Sequence, residues 1–265
     1  MKISDYKVII LCGGKGTRIS EHSLITPKPM IKIGNFPILL HILNHYFHFN
    51  IKKFILTIGY KGDQITKYFT KIFPKIKNLE KKIIYKKKYI KIIYSNDIEI
   101  TLIKTGITSE TGGRILQCRS FFRKNEIFFL TYGDGLSNIN IFDTLNDYKK
   151  LKKIGLVSAV RPPARFGKLN IKKNVVVKFE EKNQINEGWI NGGFFIFNTK
   201  IFKYIKSKKT NFEMYSLKNL SKDKELIAKK HYGFWQCMDT LREKIILEKL
   251  FKNKIHPWIS KKYLI

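Results

Sequence analysis

The sequence predicts an α/β domain, Rossmann-like and doubly wound around a mixed sheet, with a smaller antiparallel portion in its second half. Three observations lead there. Apolar runs of strand length close on glycine turns, the stretches that follow the first of these runs carry apolar residues at helical spacing, and beyond residue 155 short strand-like runs succeed one another through turns.

Lys7-Val8-Ile9-Ile10-Leu11-Cys12 is a short apolar run ending in Gly13-Gly14, the pattern of a buried parallel strand feeding a glycine turn. Ile38, Leu39, Ile42, Leu43, Tyr46 and Phe47 then recur at helical spacing. Phe54-Ile55-Leu56-Thr57-Ile58 predicts a second strand closed by Gly59, and a short helix is expected over roughly Lys61 to Phe69. Between Ile72 and Ile100 many lysines and several Ile-Tyr pairs leave no clean period, so irregular strands or a peripheral insertion are expected there. Ile127-Phe128-Phe129-Leu130-Thr131 is a third strong strand, stopping at Tyr132-Gly133-Asp134-Gly135. A helix over Ile141 to Leu151 leads to a strand from Leu156 to Val160. Lys168 to Ile171, Val175 to Glu180 and Ile190 to Phe197 follow as strands joined by turns. A closing helix is expected from Thr240 to Phe251, with Leu241, Ile245 and Leu250 on its apolar side.

At 265 residues the chain is long enough to bury a large core without metal or disulfide staples. Its 43% hydrophobic and 14% aromatic content makes it globular throughout rather than disordered in part. Cys12, Cys118 and Cys237 are odd in number and far apart, which excludes a disulfide framework or a CxxC metal pair and points to a reducing compartment. The first residues lack the long apolar core of a secretory signal, and the uncharged stretch Ile33 to Ile51 carries Pro37, three Asn and three His, a polar load that argues against a membrane span. A cytoplasmic protein with no membrane partner is expected. The formal net charge of +32 invites a nucleic-acid reading. Lysine is spread along the whole chain, however, and accompanies abundant Ile, Asn, Phe and Tyr, as codon bias in an A+T-rich genome produces. No RNP-like aromatics, zinc pattern or concentrated basic tail supports nucleic acid as a partner. A field of this sign would raise the on-rate of anionic substrates.

Leu11-Cys12-Gly13-Gly14-Lys15-Gly16-Thr17-Arg18 follows a strand, where α/β sheets bind nucleotides. Glycines let backbone N–H groups approach phosphate oxygens, and Arg18 adds a planar charge suited to pyrophosphate. The segment is neither a Walker loop nor a dinucleotide fingerprint, and by itself a glycine turn is equally compatible with a structural role. In Thr26-Pro27-Lys28-Pro29-Met30 two prolines stiffen the backbone that presents Lys28. Asp134 ends a strand beside a glycine, so its carboxylate would point into the same crevice, and Asp239, just before the last helix, is the second carboxylate. Mg²⁺ prefers a few carboxylates with water and phosphate oxygens, which this pair could provide. The alternatives are that Asp134 is a turn residue and Asp239 a helix N-cap.

Together the glycine loop, Arg18 and Lys28 resemble the GxGTR…PKP signature of nucleoside-diphosphate-sugar pyrophosphorylases. Thr105-Gly106 with Ser109 through Thr111-Gly112-Gly113-Arg114 is similar to the TG…TGGR element of that family's glucose-1-phosphate cytidylyltransferase branch. So are Pro162-Pro163-Ala164-Arg165-Phe166-Gly167, Trp189-Ile190-Asn191-Gly192-Gly193 and Gly233-Phe234-Trp235-Gln236-Cys237-Met238-Asp239-Thr240-Leu241-Arg242. These blocks run in family order from residue 7 to about 258.

The resemblance implies a sugar-nucleotide transferase fold in a single domain over residues 1–265, roughly 1–150 for the nucleotide and 151–265 for the sugar phosphate. It implies Mg²⁺ as cofactor, CTP and glucose 1-phosphate as substrates, a homo-oligomer, and CDP-glucose feeding deoxysugar synthesis for surface polysaccharides. Arg18, Lys28 and Asp134 would be catalytic, with Arg18 on the departing pyrophosphate and Lys28 on the α-phosphate. Leu11, Cys12, Gly13, Gly14, Lys15, Gly16, Thr17, Ser109, Arg114 and Gly133 would surround the nucleotide. Glu181, Lys182, Asn191 and Gly192 would bind the sugar phosphate, and Asp134 and Asp239 the metal. Asn183, Lys104, Cys12 and Lys15 depart from the family pattern, and none removes a phosphate or metal group. A transferase for another base or sugar and an inactive relative are the remaining readings; TGGR and GFWQ-MDTLR favour the cytidylyl branch.

Overall fold

The computed structural model describes residues 2–14, 16, 25–73, 80–162, 168–180 and 188–258. The first strand, β1 (Lys7–Cys12), is followed by the short pair β2 (Lys32–Ile33) and β3 (Phe36–Pro37), helix α1 (Ile38–His48), β4 (Lys53–Ile58) and α2 (Gly62–Lys67). Next come β5 (Lys81–Tyr85), β6 (Tyr89–Tyr94), β7 (Glu99–Lys104), α3 (Thr111–Leu116), β8 (Ile127–Tyr132), β9 (Gly135–Ser137) and α4 (Ile141–Leu151). The second half adds β10 (Gly155–Val160), β11 (Lys168–Lys172), β12 (Val175–Glu180), β13 (Ile190–Asn198), α5 (Lys218–Lys222), β14 (Leu226–Lys230), β15 (Trp235–Cys237) and α6 (Leu241–Lys252).

Nine of these strands form one mixed sheet in the order β14-β10-β13-β8-β1-β4-β7-β6-β5. β8, β1, β4 and β7 are mutually parallel, whereas β13 runs antiparallel to both β8 and β10. Buried on both faces, β1 reads as a continuous apolar run: Val8, Ile10 and Cys12 face the core layer that holds α1 and α4, while Ile9 and Leu11 face the layer of Phe128, Phe195, Phe197 and Phe212. The sheet leaves β1 toward β4 on one side and toward β8 on the other. A crevice therefore opens outside the carboxyl ends of β1 and β8, the usual ligand position in open α/β sheets.

Two expectations need correction. Residues 81–104 are neither irregular nor an insertion: β5, β6 and β7 are regular strands that complete one flank of the main sheet. In β6 Ile90, Ile92 and Tyr94 are buried at period two, but Tyr89 and Ile93 on the other face hide that alternation, and β5 is an edge strand whose lysines suit exposure. The closing helix forms where expected and Leu250 packs inward as expected, but Leu241 and Ile245 do not. Its inward stripe is Glu243, Leu247, Leu250 and Phe251, while Leu241 and Ile245 are 43% and 57% exposed. That stripe starts with a glutamate, Glu243, drawn in by the helix cap, so hydrophobic periodicity alone places Leu250 correctly but misassigns Leu241 and Ile245. No helix among the described residues is long and apolar enough to cross a membrane.

One buried helical residue makes stability depend on pH. His45 on α1 stands edge-on to Tyr46, Phe49 and Phe194. Burial, with His48 and His231 adding to it, pushes its imidazole down to about 3 from an ordinary 6.5. The folded state thus keeps the ring neutral where the unfolded chain takes up a proton. Stability contributed at neutral pH is lost as pH falls below 6.5, by about 2 kcal/mol at pH 5 from this group alone. Urea midpoints at pH 7 and pH 5 should differ less for His45→Leu than for the wild type; equal differences would contradict the assignment.

Candidate active site

Four chain segments meet at the crevice. β1 delivers Cys12 and then Gly13-Gly14, and β8 delivers Tyr132-Gly133-Asp134 beside it, with the Gly133 N–H donating to the Leu11 carbonyl at 3.1 Å. A Cβ on Gly133 would stand 2.7 Å from that carbonyl, so the two strand ends approach closely only because this residue has no side chain. Pro27-Lys28-Pro29-Met30 forms a 3-10 turn, closed by the Met30 N–H on the Pro27 carbonyl at 2.7 Å, which buries Lys28 and Pro29 against the crevice. Asp239 arrives through β15, which pairs with β9 so that Cys237 faces Gly135, and the Met238 N–H bonds the Asp134 carbonyl at 2.9 Å.

The Lys28 ammonium sits between the two carboxylates. It donates to Asp134 Oδ2 at 2.5 Å and also to Asp239 Oδ1. Burial alone would pull the lysine down; the charge and hydrogen bond of Asp134, then those of Asp239, outweigh it and raise Lys28 above the ordinary lysine range. Asp239 is not the cap of the last helix. Thr240 caps it, and Glu243 Oε2 accepts the backbone N–H groups of Asp239 and Thr240, while the Asp239 carboxylate accepts from Lys28. No group of three or more His, Cys, Asp and Glu that could hold a metal occurs among the described residues. Two carboxylates already converging on one cation, each with about a quarter of its side chain open to solvent, nevertheless fit Mg²⁺, which takes one or two carboxylates and fills its shell with water and phosphate oxygens.

The cavity in front of these groups has a volume of about 640 Å³, within the range of a small-molecule site. Leu11, Cys12, Gly13, Gly14 and Gly16 form one wall. Ser109, Arg114, Lys28, Gly133 and Asp134 also line it, whereas Asp239 is not among the lining residues and is linked to it through Lys28. Arg114 is 4% exposed; its Nη1 donates to Thr105 Oγ1 at 2.6 Å and to the Gly106 carbonyl at 2.9 Å, which fixes the guanidinium plane against Gly13. A Cβ on Gly13 would collide with that guanidinium. Gly13→Ala should therefore displace Arg114 and raise the KM for a substrate held in this cavity by roughly tenfold or more, with a smaller change in kcat; steady-state kinetics showing an unchanged KM would contradict this placement. Burial pushes the Cys12 thiol well up, so it is a small core residue and not a nucleophile.

Asn191 and Gly192 do not line this cavity. Asn191 touches its rim through the Tyr132 hydroxyl at 3.3 Å, and the Gly192 carbonyl accepts from Trp235 Nε1 at 2.7 Å. Lys15, Thr17, Arg18, Glu181 and Lys182 lie outside the described residues. Sequence reasoning missed a bracket behind the cavity: Glu213 accepts from the Tyr132 hydroxyl at 2.7 Å and from Thr111 Oγ1 at 2.8 Å, tying β8 to α3. Nothing in the local sequence around Glu213 signals this role.

Backbone glycines, a clamped arginine, a lysine and the Asp134 carboxylate lining one cavity, with Asp239 bonded to that lysine from outside the lining, suit a substrate that carries both a base and phosphates. The chain belongs to the nucleotidyl transferase family, whose profile matches residues 7–236. It is 38% identical over 252 residues to glucose-1-phosphate cytidylyltransferase of Salmonella typhimurium, covering 95% of this chain and 98% of that protein. It is 32% identical over 226 residues to D-glycero-alpha-D-manno-heptose 1-phosphate guanylyltransferase of Campylobacter jejuni, covering 82% and 87%. In fold it matches the solved structure of HddC from Yersinia pseudotuberculosis complexed with GMP-PN, with a TM-score of 0.68 at 23% identity over 93% of this chain and 99% of that one.

Proposed function

We propose that the chain transfers the cytidylyl group of CTP to α-D-glucose 1-phosphate and releases pyrophosphate, forming CDP-glucose for deoxysugar and surface-polysaccharide synthesis in the cytoplasm. The observation that carries the reaction class is Lys28 held between Asp134 and Asp239 in the lining of a glycine-walled cavity. Similarity at 38% along nearly the full length of a cytidylyltransferase supports the base and the sugar.

A phosphate oxygen of the sugar phosphate attacks the α-phosphorus of CTP; the new P–O bond forms as the bond to the β-phosphate oxygen breaks, and pyrophosphate leaves. The attacking group is already ionised, so no protein nucleophile or general base is needed. The protein's task is to align two anions and neutralise the developing charge. Mg²⁺, when bound, supplies charge neutralisation on the phosphates, and Asp134 and Asp239 are the residues that would hold it. Once those carboxylates have another counter-ion, Lys28 is available to the α-phosphate. Arg18 is assigned to the departing pyrophosphate and Lys182 to the sugar phosphate, with Glu181, Asn191 and Gly192 around the sugar. Arg114, with N–H groups beyond the two it spends on Thr105 and Gly106, faces the base. Cytosine presents acceptors at O2 and N3 beside a donor amine, so an arginine on O2 and backbone carbonyls of residues 11–14 on the amine satisfy its edge.

Phosphorus NMR of a mixture of purified protein, Mg²⁺, CTP and glucose 1-phosphate tests the reaction. A pair of coupled diphosphate signals from a nucleotide sugar should grow as the sugar-phosphate signal disappears; their absence under active-site saturation would overturn the proposal.

A further inference from the structure

A second cavity, of about 820 Å³, opens at the opposite end of β8. β13 pairs antiparallel with β8, setting Asn198 opposite Ile127, so the segments before β8 and after β13 meet there, far along the sheet from Asp134. The cavity is lined by five cations, Arg119, Arg123, Lys124, Lys200 and Lys203, and by no acidic residue. None of the five side chains takes an ion pair among the described residues. The neighbouring acid, Glu126, is already engaged by Lys7 Nζ at 2.6 Å and the Arg123 backbone N–H at 2.7 Å. Leu116, Phe122 and Phe202 supply an apolar floor beneath the charges.

Exposed single charges bind single anions weakly in salt, so a rim of five cations with no ion pair among the described residues suits a ligand that presents several charges close together. The two arginines add forks that match phosphoryl oxygens in pairs. Gln117 connects this cavity to the other one. It lines the second cavity, and its side-chain amide donates to the Thr105 carbonyl at 3.1 Å and to Ser109 Oγ at 3.3 Å. Ser109 lines the first cavity, and Thr105 Oγ1 is the acceptor that fixes Arg114.

We propose that the second cavity binds a di- or triphosphate group and that Gln117 transmits its occupancy to the nucleotide cavity, changing nucleotide affinity. The ligand is free pyrophosphate or the triphosphate of a nucleotide; both offer the same phosphoryl chemistry. Binding at the second cavity stands on its own observations, whereas the coupling rests on the first cavity holding a nucleotide.

Isothermal titration of the full chain with sodium pyrophosphate, sodium tripolyphosphate and CTP, at fixed ionic strength, tests the binding. Wild type should take up two equivalents of tripolyphosphate. Arg119→Glu/Arg123→Glu and, independently, Lys200→Glu/Lys203→Glu should each keep one equivalent and weaken the other by at least about tenfold, with thermal melts confirming that both variants fold. Two equivalents of CTP would identify a nucleotide as the ligand, and two of pyrophosphate with one of CTP the free anion. For the coupling, tripolyphosphate should shift the KM for CTP at least about threefold more in wild type than in Arg119→Glu/Arg123→Glu, whose KM without tripolyphosphate matches wild type. One equivalent in wild type, or two undiminished equivalents in both variants, would overturn the site; an identical KM response would overturn the coupling. Loss of CTP turnover with the second equivalent retained would count against the proposed reaction and not against this cavity.

Discussion

Asp134→Asn lowers kcat by on the order of 10²–10³-fold while leaving the melting temperature nearly unchanged. Asparagine keeps the shape of the side chain and an oxygen for the Lys28 ammonium, so the turn after β8 and its bond to Leu11 persist. What disappears is one of the two negative charges that would bind the divalent ion and hold Lys28 in place. The loss should be accompanied by a rightward shift in the Mg²⁺ concentration needed for half-maximal rate, of about tenfold or more. Initial rates across a Mg²⁺ series check both effects. A kcat within about threefold of wild type, at any Mg²⁺ concentration, would remove Asp134 from the chemistry.

Lys28→Met should cost as much in kcat/KM, on the order of 10²–10³-fold, because methionine keeps an apolar stem between Pro27 and Pro29 but brings no charge to the phosphates. It also removes the cation that Asp134 and Asp239 share. Both carboxylates are partly open to water, so the stability loss in metal-free buffer is modest, about 1 kcal/mol. The folded-state value of Lys28 lies above its ordinary value of 10.5. Its contribution is therefore fully present below that pH and fades as pH rises further. Urea melts of wild type and variant in chelator should differ by the same amount at pH 7 and pH 9 and converge above about pH 10.5. A variant as active as wild type would place the phosphates elsewhere.

What could be read from the chain follows from how local the signals are. β1 and β8 were legible because each is buried on both faces and ends at a glycine, so strand, turn and crevice are written in consecutive residues. The prolines around Lys28 identify a stiff turn, though not that its ammonium meets two carboxylates from distant parts of the chain. For Asp239 the competing cap assignment was decided by Thr240 and Glu243, a capping box visible in the sequence once the helix start is placed one residue later. Residues 81–104 were obscured by lysines on an edge strand and by apolar residues on both faces of β6. Of the inward face of α6 only Leu250 was read correctly, because the face begins with Glu243. Glu213 and Gln117 act through tertiary contacts with Tyr132, Thr111, Thr105 and Ser109, and no spacing within their own helical segments encodes those partners.

Reaction class and base are both reached by one measurement: pyrophosphate release by the purified chain with Mg²⁺ and glucose 1-phosphate, run in parallel with CTP, UTP, dTTP, GTP and ATP. Release should be strongly selective for CTP and abolished when glucose 1-phosphate is left out. Selectivity for another nucleotide would contradict the assignment of the base edge to Arg114 and the glycine wall, and no release with any of the five would contradict the reaction itself.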